Sequence, residues 1–248
     1  MTGLLAVYRR EMLSLWVTPL AWVLVVVFLL LQGTVFYAIV SHFSSLPEVG
    51  IDIGPLQAYF GQTIFVLLSL LLLCPALTMR TFAEERRSGT IETLLTAPVA
   101  STGLVLGKYF AVLTTYLVMW LPTVLYVVML RGTGTVDWHV VGASYLGIAA
   151  IGAGYLSIGL LMSSMTRSQL IALLLTLLFL FGLFVLGIGQ YVFEPGLVYR
   201  ISAHVSLQNQ LDELSRGIVD LRRVVFDLSL VLAPLFMTVR VVDSWRWG

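Results

Sequence analysis

The chain has 248 residues, of which 59% are apolar and only 11% are charged, whereas soluble domains carry ~25% charged residues. So few charges could not cover so much apolar surface in water, which excludes a soluble enzyme, a nucleic-acid-binding protein and a disordered chain. The net charge of +1 gives no overall field that would attract a polyanion. The composition predicts an all-α polytopic membrane protein with one transmembrane domain over residues 1–248.

Residues 1–18 predict an amphipathic helix before the first long apolar run. Its apolar residues recur every three or four positions, and Arg9, Arg10, Glu11 and Ser14 fill the other face. The apolar residues are Leu4, Leu5, Tyr8, Met12, Leu15 and Trp16. A helix with this pattern lies in the membrane interface. It is either an anchor or a lever that moves with the span that follows.

Six runs are apolar and long enough to cross a bilayer as helices, which takes about 20 residues. They are residues 20–40, 58–78, 109–130, 140–162, 170–188 and 224–239. The sixth run has only 16 residues. It is short for a span unless Arg240 reaches the headgroups and the two valines after it also lie in the membrane.

The positions of lysine and arginine predict the orientation of the spans. Nine of these residues lie in the N-terminal segment, the connection between spans 2 and 3, the loop after span 4 and the C-terminal tail. They are Arg9, Arg10, Arg80, Arg86, Arg87, Lys108, Arg167, Arg240 and Arg246. The segment between spans 1 and 2 has none, although the long segment before span 6 departs from the rule with four arginines. We expect both termini to be cytoplasmic.

The connection between spans 2 and 3, residues 79–103, combines charges of both signs with helix breakers. Thr81 and Glu84 have the spacing of a capping box, Gly89 breaks the helix and Pro98 ends a second piece. Apolar residues lie among the charges: Phe82, Ile91, Leu94 and Leu95. A solvated loop would also carry charge, but this mixture of charged and apolar residues favours a docking surface.

Span 4 contains small residues at four-residue spacing, Ala143 with Gly147 and Ala150 with Gly154. Small residues allow the backbones of two helices to approach closely in lipid. This face is therefore predicted to pack either within the chain or against a second chain.

Residues 189–223, between spans 5 and 6, are too many for a simple turn. Apolar residues repeat there at intervals of four and three: Leu207, Leu211, Leu214, Ile218, Leu221 and Val225. The repeat predicts an amphipathic outer helix that is interrupted at Gly217 and runs straight into span 6. It is either a packing helix or a gate for a substrate.

The sequence contains no motif that would support catalysis or metal binding. His42, His139 and His204 lack ligand spacing, and none lies deep enough in a span to serve a serine nucleophile. The segment from Gly103 to Lys108 lacks the spacing of a phosphate loop, so Lys108 is expected to extend to the membrane surface. We expect no enzyme activity, no metal and no cofactor bound by this chain.

Asp227 is the ionisable residue expected inside a span, near the outer end of span 6. Ionisable residues within the membrane can mark an ion path. Arg223 lies four residues earlier on the same helix face, so an ion pair between the two is the simpler expectation. A secondary transporter would need more groups of this kind.

Residues 84–98, followed by Leu106-Gly107-Lys108, closely resemble the signature region of ABC-2-type transporter permeases. The stretch from Leu214 to Trp247 resembles the permeases of gliding-motility and copper-maturation ABC systems, and the likeness extends over the whole chain. The resemblance implies six spans, a dimer formed with itself or a related subunit, and a location in a bacterial inner membrane. It also implies a separate ATP-binding cassette subunit that holds ATP and Mg and drives export.

The resemblance further implies that residues 79–103 supply a coupling helix that docks on the ATPase subunit. Carried over position by position, the interface candidates are Phe82, Glu84, Glu85, Arg86, Arg87, Ile91, Glu92 and Leu94. The gliding-type relatives often work with a second membrane subunit that has a large outer domain. The alternative is therefore a mechanotransmission or scaffold subunit that moves an outer partner and transports nothing. A secondary transporter is less favoured.

Overall fold

The computed structural model describes residues 2–45, 54–91, 100–131 and 137–245, which form helices joined by short turns, with no strand among them. In chain order the helices begin with α1 (Thr2–Val17), α2 (Pro19–Ser44), α3 (Ile64–Thr78), α4 (Ala83–Ser88) and α5 (Ser101–Trp120). They continue with α6 (Val124–Leu130), α7 (Trp138–Met165), α8 (Gln169–Ile188), α9 (Leu197–Val205), α10 (Leu207–Ser215) and α11 (Leu221–Ser244).

Within the described ranges, six helical stretches are long and apolar enough to cross a membrane. They are Pro19–Ser44, Pro55–Ser88, Ser101–Leu130, Trp138–Met165, Gln169–Tyr191 and Leu221–Ser244. The prediction of an all-helical fold with six apolar helices of spanning length is confirmed. The sixth stretch is longer than its apolar run, with 24 residues, because the helix continues past Arg240.

Helix α7 lies at the centre of the bundle and packs against α3, α5, α8, α10 and α11. A Cβ atom added to Gly147 would lie 2.1 Å from Cδ1 of Leu214 on α10, and one added to Gly154 would lie 3.2 Å from Leu230 on α11. Two alanines were also predicted for this face: Ala143 is buried and Ala150 is half-buried. At Gly147 and Gly154 the small-residue face therefore serves packing within the chain.

The two ends of the bundle are built from different parts of the chain. The charged end contains the last turns of α3, α7 and α11, the start of α5, and α4; Ser163 of α7 contacts Phe82 there. The opposite end contains the starts of α7 and α11 together with α9 and α10; Ser144 of α7 contacts Leu214 there.

The predicted amphipathic helix does not run straight into span 6, and that part of the prediction was wrong: α10 and α11 are separate helices on either side of Gly217, the residue expected to interrupt the helix. The chain turns between them at Gly217, whose φ of +76° is a conformation that glycine adopts without steric cost. The apolar residues before the turn are buried: Leu207, Leu211 and Leu214. Those after the turn are exposed: Ile218, Leu221 and Val225. The turn separates the two halves of the repeat, so they do not share a face.

Asp227 is buried at the opposite end, and its carboxylate accepts a hydrogen bond from Nε2 of Gln210 at 2.6 Å. The expected ion pair with Arg223 is absent among the described residues. Arg223 instead places Nε 2.8 Å from Oε2 of Glu213 and donates from Nη1 to the carbonyl of Ser206 at 3.2 Å. Helix α10 lies beside α11 and supplies Gln210 to Asp227 and Glu213 to Arg223. These two contacts between helices replace the expected ion pair within α11.

Candidate functional site

Helix α4 is held at its start by a serine from another helix. The Ser163 hydroxyl of α7 accepts hydrogen bonds from the backbone N–H groups of Phe82 and Ala83, at 3.1 and 3.2 Å, and donates to the Met79 carbonyl. The capping box predicted from Thr81 is not formed, since the Thr81 hydroxyl donates back to a carbonyl of the preceding turn. The orientation of α4 is therefore fixed by α7 rather than by its own sequence.

A close approach of α3 to α7 makes this cap possible. A Cβ atom on Gly159 of α7 would lie 2.1 Å from Oγ1 of Thr78, at the end of α3. Glycine leaves room for the two backbones to meet one turn before Ser163. The chain then leaves α3 within reach of the serine hydroxyl.

Lys108 forms the centre of a buried ion cluster next to α4. Its Nζ atom lies 2.7 Å from Oε1 of Glu11, 2.9 Å from Oε1 of Glu85 and 2.8 Å from the carbonyl oxygen of Thr81. The side chain is fully buried, so the prediction that Lys108 extends to the surface was wrong. A buried ammonium needs counter-charges and acceptors because its desolvation is costly. Here α1 and α4 supply both carboxylates.

Arg10 completes the cluster from the outside. Its Nη2 atom lies 3.0 Å from the same Oε1 atom of Glu85 that faces Lys108, and its side chain is about half exposed. Two cations and two carboxylates, those of Glu11 and Glu85, thus balance one another. The ion cluster joins α1, α4 and α5 through charge-assisted contacts, which are stronger than neutral hydrogen bonds.

Aromatic residues close the other side of α4. Phe82 is fully buried, with the Lys108 ammonium 5.1 Å from its ring centre and the Trp245 ring edge-on at 5.9 Å. The Arg86 guanidinium lies 4.7 Å from the Trp245 ring centre and donates to the Ser164 carbonyl at 2.8 Å. These contacts attach α4 to the ends of α7 and α11.

The outward face of α4 is polar and exposed. Glu84 and Arg87 are both exposed, one on the first turn of α4 and one on the last. The helix ends at Gly89, whose φ of +74° is the left-handed conformation usual after a helix C-terminus. A short helix with a fixed inner face thus presents a charged outer face at the end of the bundle.

The structure separates the predicted interface residues into distinct groups. Phe82 and Glu85 are buried inside the protein, so neither side chain is available to a partner on this surface. Arg86 is half-buried against Trp245, and Ile91 is half-buried against the core. The predicted residues on the exposed outer face are Glu84 and Arg87. Two further candidates, Glu92 and Leu94, lie outside the described residues.

The sequence interpretation missed the role of α1 in this site. Val7 and Glu11 are buried on the same side of α1, and a Cβ atom on Gly107 of α5 would lie 2.9 Å from Val7. Glu11 was predicted to lie on the exposed polar face of α1, but it is buried. Leu5 and Leu13, in contrast, are apolar and yet exposed. The four-residue spacing of Val7 and Glu11 was the available signal, because it places both on one helix face.

With this geometry established, one comparison assigns the chain to a family. The family described as "ABC-2 family transporter protein" matches residues 54–203, more than half of the chain. This chain belongs to the ABC-2 transporter family. No curated protein matches it. Membership and the apolar helices together indicate a multi-pass membrane protein. The matched region includes α4 and Ser163, while Glu11 and Trp245 lie outside it.

Proposed function

We propose that this chain is the permease subunit of an ATP-driven ABC-2 transporter, and that the outer face of α4 docks on a separate ATP-binding cassette subunit. The observation that carries the proposal is the two-sided construction of α4. Its inner face is fixed by Ser163 and the Lys108 ion cluster, and its outer face presents Glu84 and Arg87. A docking element that must transmit movement needs both properties.

The contacts of α4 define what a movement of the ATPase subunit would displace. A push on α4 acts on α1 and α5 through Glu85, on α7 through Ser163 and on α11 through Trp245. Packed interfaces change between discrete arrangements rather than deforming continuously. ATP binding to the partner would therefore shift the permease between two states, with this chain contributing no catalytic group.

The proposal includes the partners and the location. ATP and Mg belong to the ATPase subunit, and this chain pairs with a second permease chain, identical or related. The charged end faces the cytoplasm of a bacterial inner membrane, with both termini on that side, and transport is export. Within the family, we place the chain with the gliding-motility and copper-maturation type.

An alternative is a scaffold subunit that uses the same ATPase to move an outer-side partner. The observation that favours it is an apolar surface around α9 at the opposite end, which has large exposed side chains. They include Tyr191, Val192, Phe193, Leu197, Val198 and Ile201. Such a surface binds either lipid or a protein. Stimulation of ATPase activity by a small molecule supports transport, whereas stimulation by a protein partner supports the scaffold function.

The docking proposal is tested by neutralising the outer face of α4 without changing its size. The variant Glu84→Gln/Arg87→Gln, co-expressed with the cognate ATPase subunit, should retain roughly tenfold less ATPase on purification, because interfacial charge pairs contribute to affinity and specificity. The control is Glu194→Gln/Arg222→Gln, which removes one exposed charge of each sign at the opposite end. Equal retention of the ATPase by the α4 variant and the control would refute docking on this face.

A further inference from the structure

A cavity of about 260 Å³ lies between α1, the start of α2, the end of α3 and α4. This volume is several times the ~30 Å³ that a water molecule occupies in the liquid. The cavity is beside the ion cluster, on the side of Arg10 and away from Phe82, and it is separate from the outer face of Arg87. Its walls divide into a polar and an apolar part, and that division indicates its occupant.

The polar part of the cavity contains a guanidinium nitrogen that has no partner in the part of the chain that the structure describes. Arg80 lines the cavity, and its buried Nε atom has no hydrogen-bond acceptor among the described residues. Arg10 also lines the cavity, with hydroxyl groups from Ser14 and Thr18. A guanidinium is charged at all relevant pH values and donates in a planar fork that matches a phosphate. The unpaired N–H donor of Arg80 is therefore a candidate binding group for an oxyanion.

A carboxylate lies in the same polar part. Glu84 lines the cavity, is exposed, and forms no ion pair with any residue that the structure describes. Glu85, in contrast, is already paired with Lys108 and Arg10. A ligand that carries both a phosphate and an ammonium would satisfy Arg80 and Glu84 together. An inorganic phosphate would satisfy only the former and would be repelled by the latter.

The apolar part of the cavity lies at the start of α2 and the end of α3. It is formed by Leu20, Ala21, Leu24, Ala76 and Leu77. Trp16 and Trp22 directly follow the lining residues Leu15 and Ala21 in the chain, with ring centres 5.4 Å apart and the Trp22 indole donating to the Trp16 carbonyl. Tryptophan side chains favour the level of the lipid headgroups in membrane proteins. The cavity therefore passes from polar to apolar where a bilayer does.

We propose that this cavity binds the headgroup of a zwitterionic aminophospholipid, with the phosphate on Arg80, the ammonium on Glu84 and the first acyl carbons on the apolar wall. The lipid would bridge α4, the turn before it and the start of α2, beside the Arg10–Glu85 pair. The inference shares Glu84 with the proposed docking face of α4, but Arg80 and the cavity have no part in docking, so Arg80→Gln tests lipid binding separately from attachment of the ATPase.

The test uses the full-length protein in detergent, incubated with phosphatidylethanolamine, phosphatidylglycerol, phosphatidylcholine or inorganic phosphate. Native mass spectrometry then measures the retained ligand. Wild-type protein should retain phosphatidylethanolamine best, and Arg80→Gln should retain roughly tenfold less, a loss equivalent to one charge-assisted contact. Arg87→Gln, which removes an arginine outside the cavity, should retain as much as wild type.

Further variants identify the headgroup and control for folding. Glu84→Gln should abolish the preference for phosphatidylethanolamine over phosphatidylcholine, whose quaternary ammonium has no N–H donor. The unfolding temperature of Arg80→Gln without lipid shows whether that variant is folded, and Arg80→Lys is the variant that keeps the charge. Undiminished lipid retention by a folded Arg80→Gln protein would overturn the proposal. So would an equal loss in Arg87→Gln, or inorganic phosphate that competes the lipid away.

Discussion

A buried polar network lies at each end of the described bundle, and the two networks differ in how far apart their members are in the sequence. At the charged end, Lys108 contacts Glu11 and Glu85, which are separated from it by 97 and 23 positions. At the opposite end, Arg223 contacts Glu213, only ten positions away. The first network requires α1, α4 and α5 to assemble, whereas the second requires only that α10 fold back beside α11.

The two networks also differ in exposure. None of the Lys108 side chain is exposed to solvent, whereas 35% of the surface of the Glu213 side chain is exposed. Loss of one partner from a buried ion pair leaves an uncompensated charge, whereas a partly exposed carboxylate is solvated by water. The stability of the protein should therefore be more sensitive to single substitutions at the charged end. Such tight pairing is expected where several helices must move together.

The largest expected effect comes from Lys108→Met, which leaves the buried carboxylate of Glu11 without a counter-charge and that of Glu85 with Arg10 alone. We expect a loss of about 3–5 kcal/mol in the free energy of unfolding, measured by denaturant or thermal unfolding in detergent. Arg223→Met, the matched change at the opposite end, should cost about 1–2 kcal/mol, because Glu213 remains partly hydrated. Equal losses in the two variants would remove the distinction between the ends.

Removal of both carboxylates together with the lysine shows whether the cost of Lys108→Met arises from the unpaired carboxylates, since the Arg10 that remains is about half exposed and can be solvated. Lys108→Met combined with Glu11→Gln and Glu85→Gln should recover a large part of the lost stability, since buried ion clusters can be replaced by neutral groups at little cost. A triple variant as unstable as the single variant would assign the loss to packing around the lysine stem instead.

The second expected effect concerns the cap that α7 places on α4. Ser163→Ala removes the acceptor for two backbone N–H groups, and unsatisfied buried groups cost ~1–3 kcal/mol. Amide hydrogen exchange of residues 82–86 should accelerate, while the opposite end stays protected. Ser164→Ala is the control, because among the described residues that hydroxyl bonds the Leu161 carbonyl of its own helix and no group of α4. Unchanged exchange in Ser163→Ala would show that the ion cluster and the contacts of Phe82 and Arg86 hold α4 without the serine.

The sequence predicted the six apolar helices because length and hydropathy are local properties that the lipid environment enforces. It did not predict the partners of Lys108, since a lysine near an apolar run also fits a side chain that extends to the headgroups. Choosing between the two requires knowing that α1 crosses α5 at that point. Likewise, Thr81 and Glu84 had the spacing of a local cap. The cap of α4 is instead supplied by Ser163, which is 81 positions after Phe82 in the chain.

The amphipathic repeat before span 6 failed for a related reason. Its six apolar residues have regular spacing, but the backbone reverses at Gly217, so the periodicity continues through a turn that spacing cannot detect. The interruption at Gly217 was predicted, but the change of direction was not, because a glycine in a sequence does not show that its backbone takes the left-handed conformation that ends a helix.

The smallest of these effects should appear at the opposite end, where Gly147→Ala tests the fit of α10 against α7. The added Cβ atom would lie 2.1 Å from Cδ1 of Leu214, so that flexible side chain must rotate. We expect a net loss of about 1 kcal/mol in unfolding free energy, near the lower limit for overpacking. Gly142→Ala, in the same helix with no atom within 4 Å, should instead be neutral or stabilise the protein. If Gly147→Ala also weakened retention of the ATPase subunit, the two ends would be mechanically coupled through α7. If it lowered stability alone, the opposite end would be a packing element independent of the charged end.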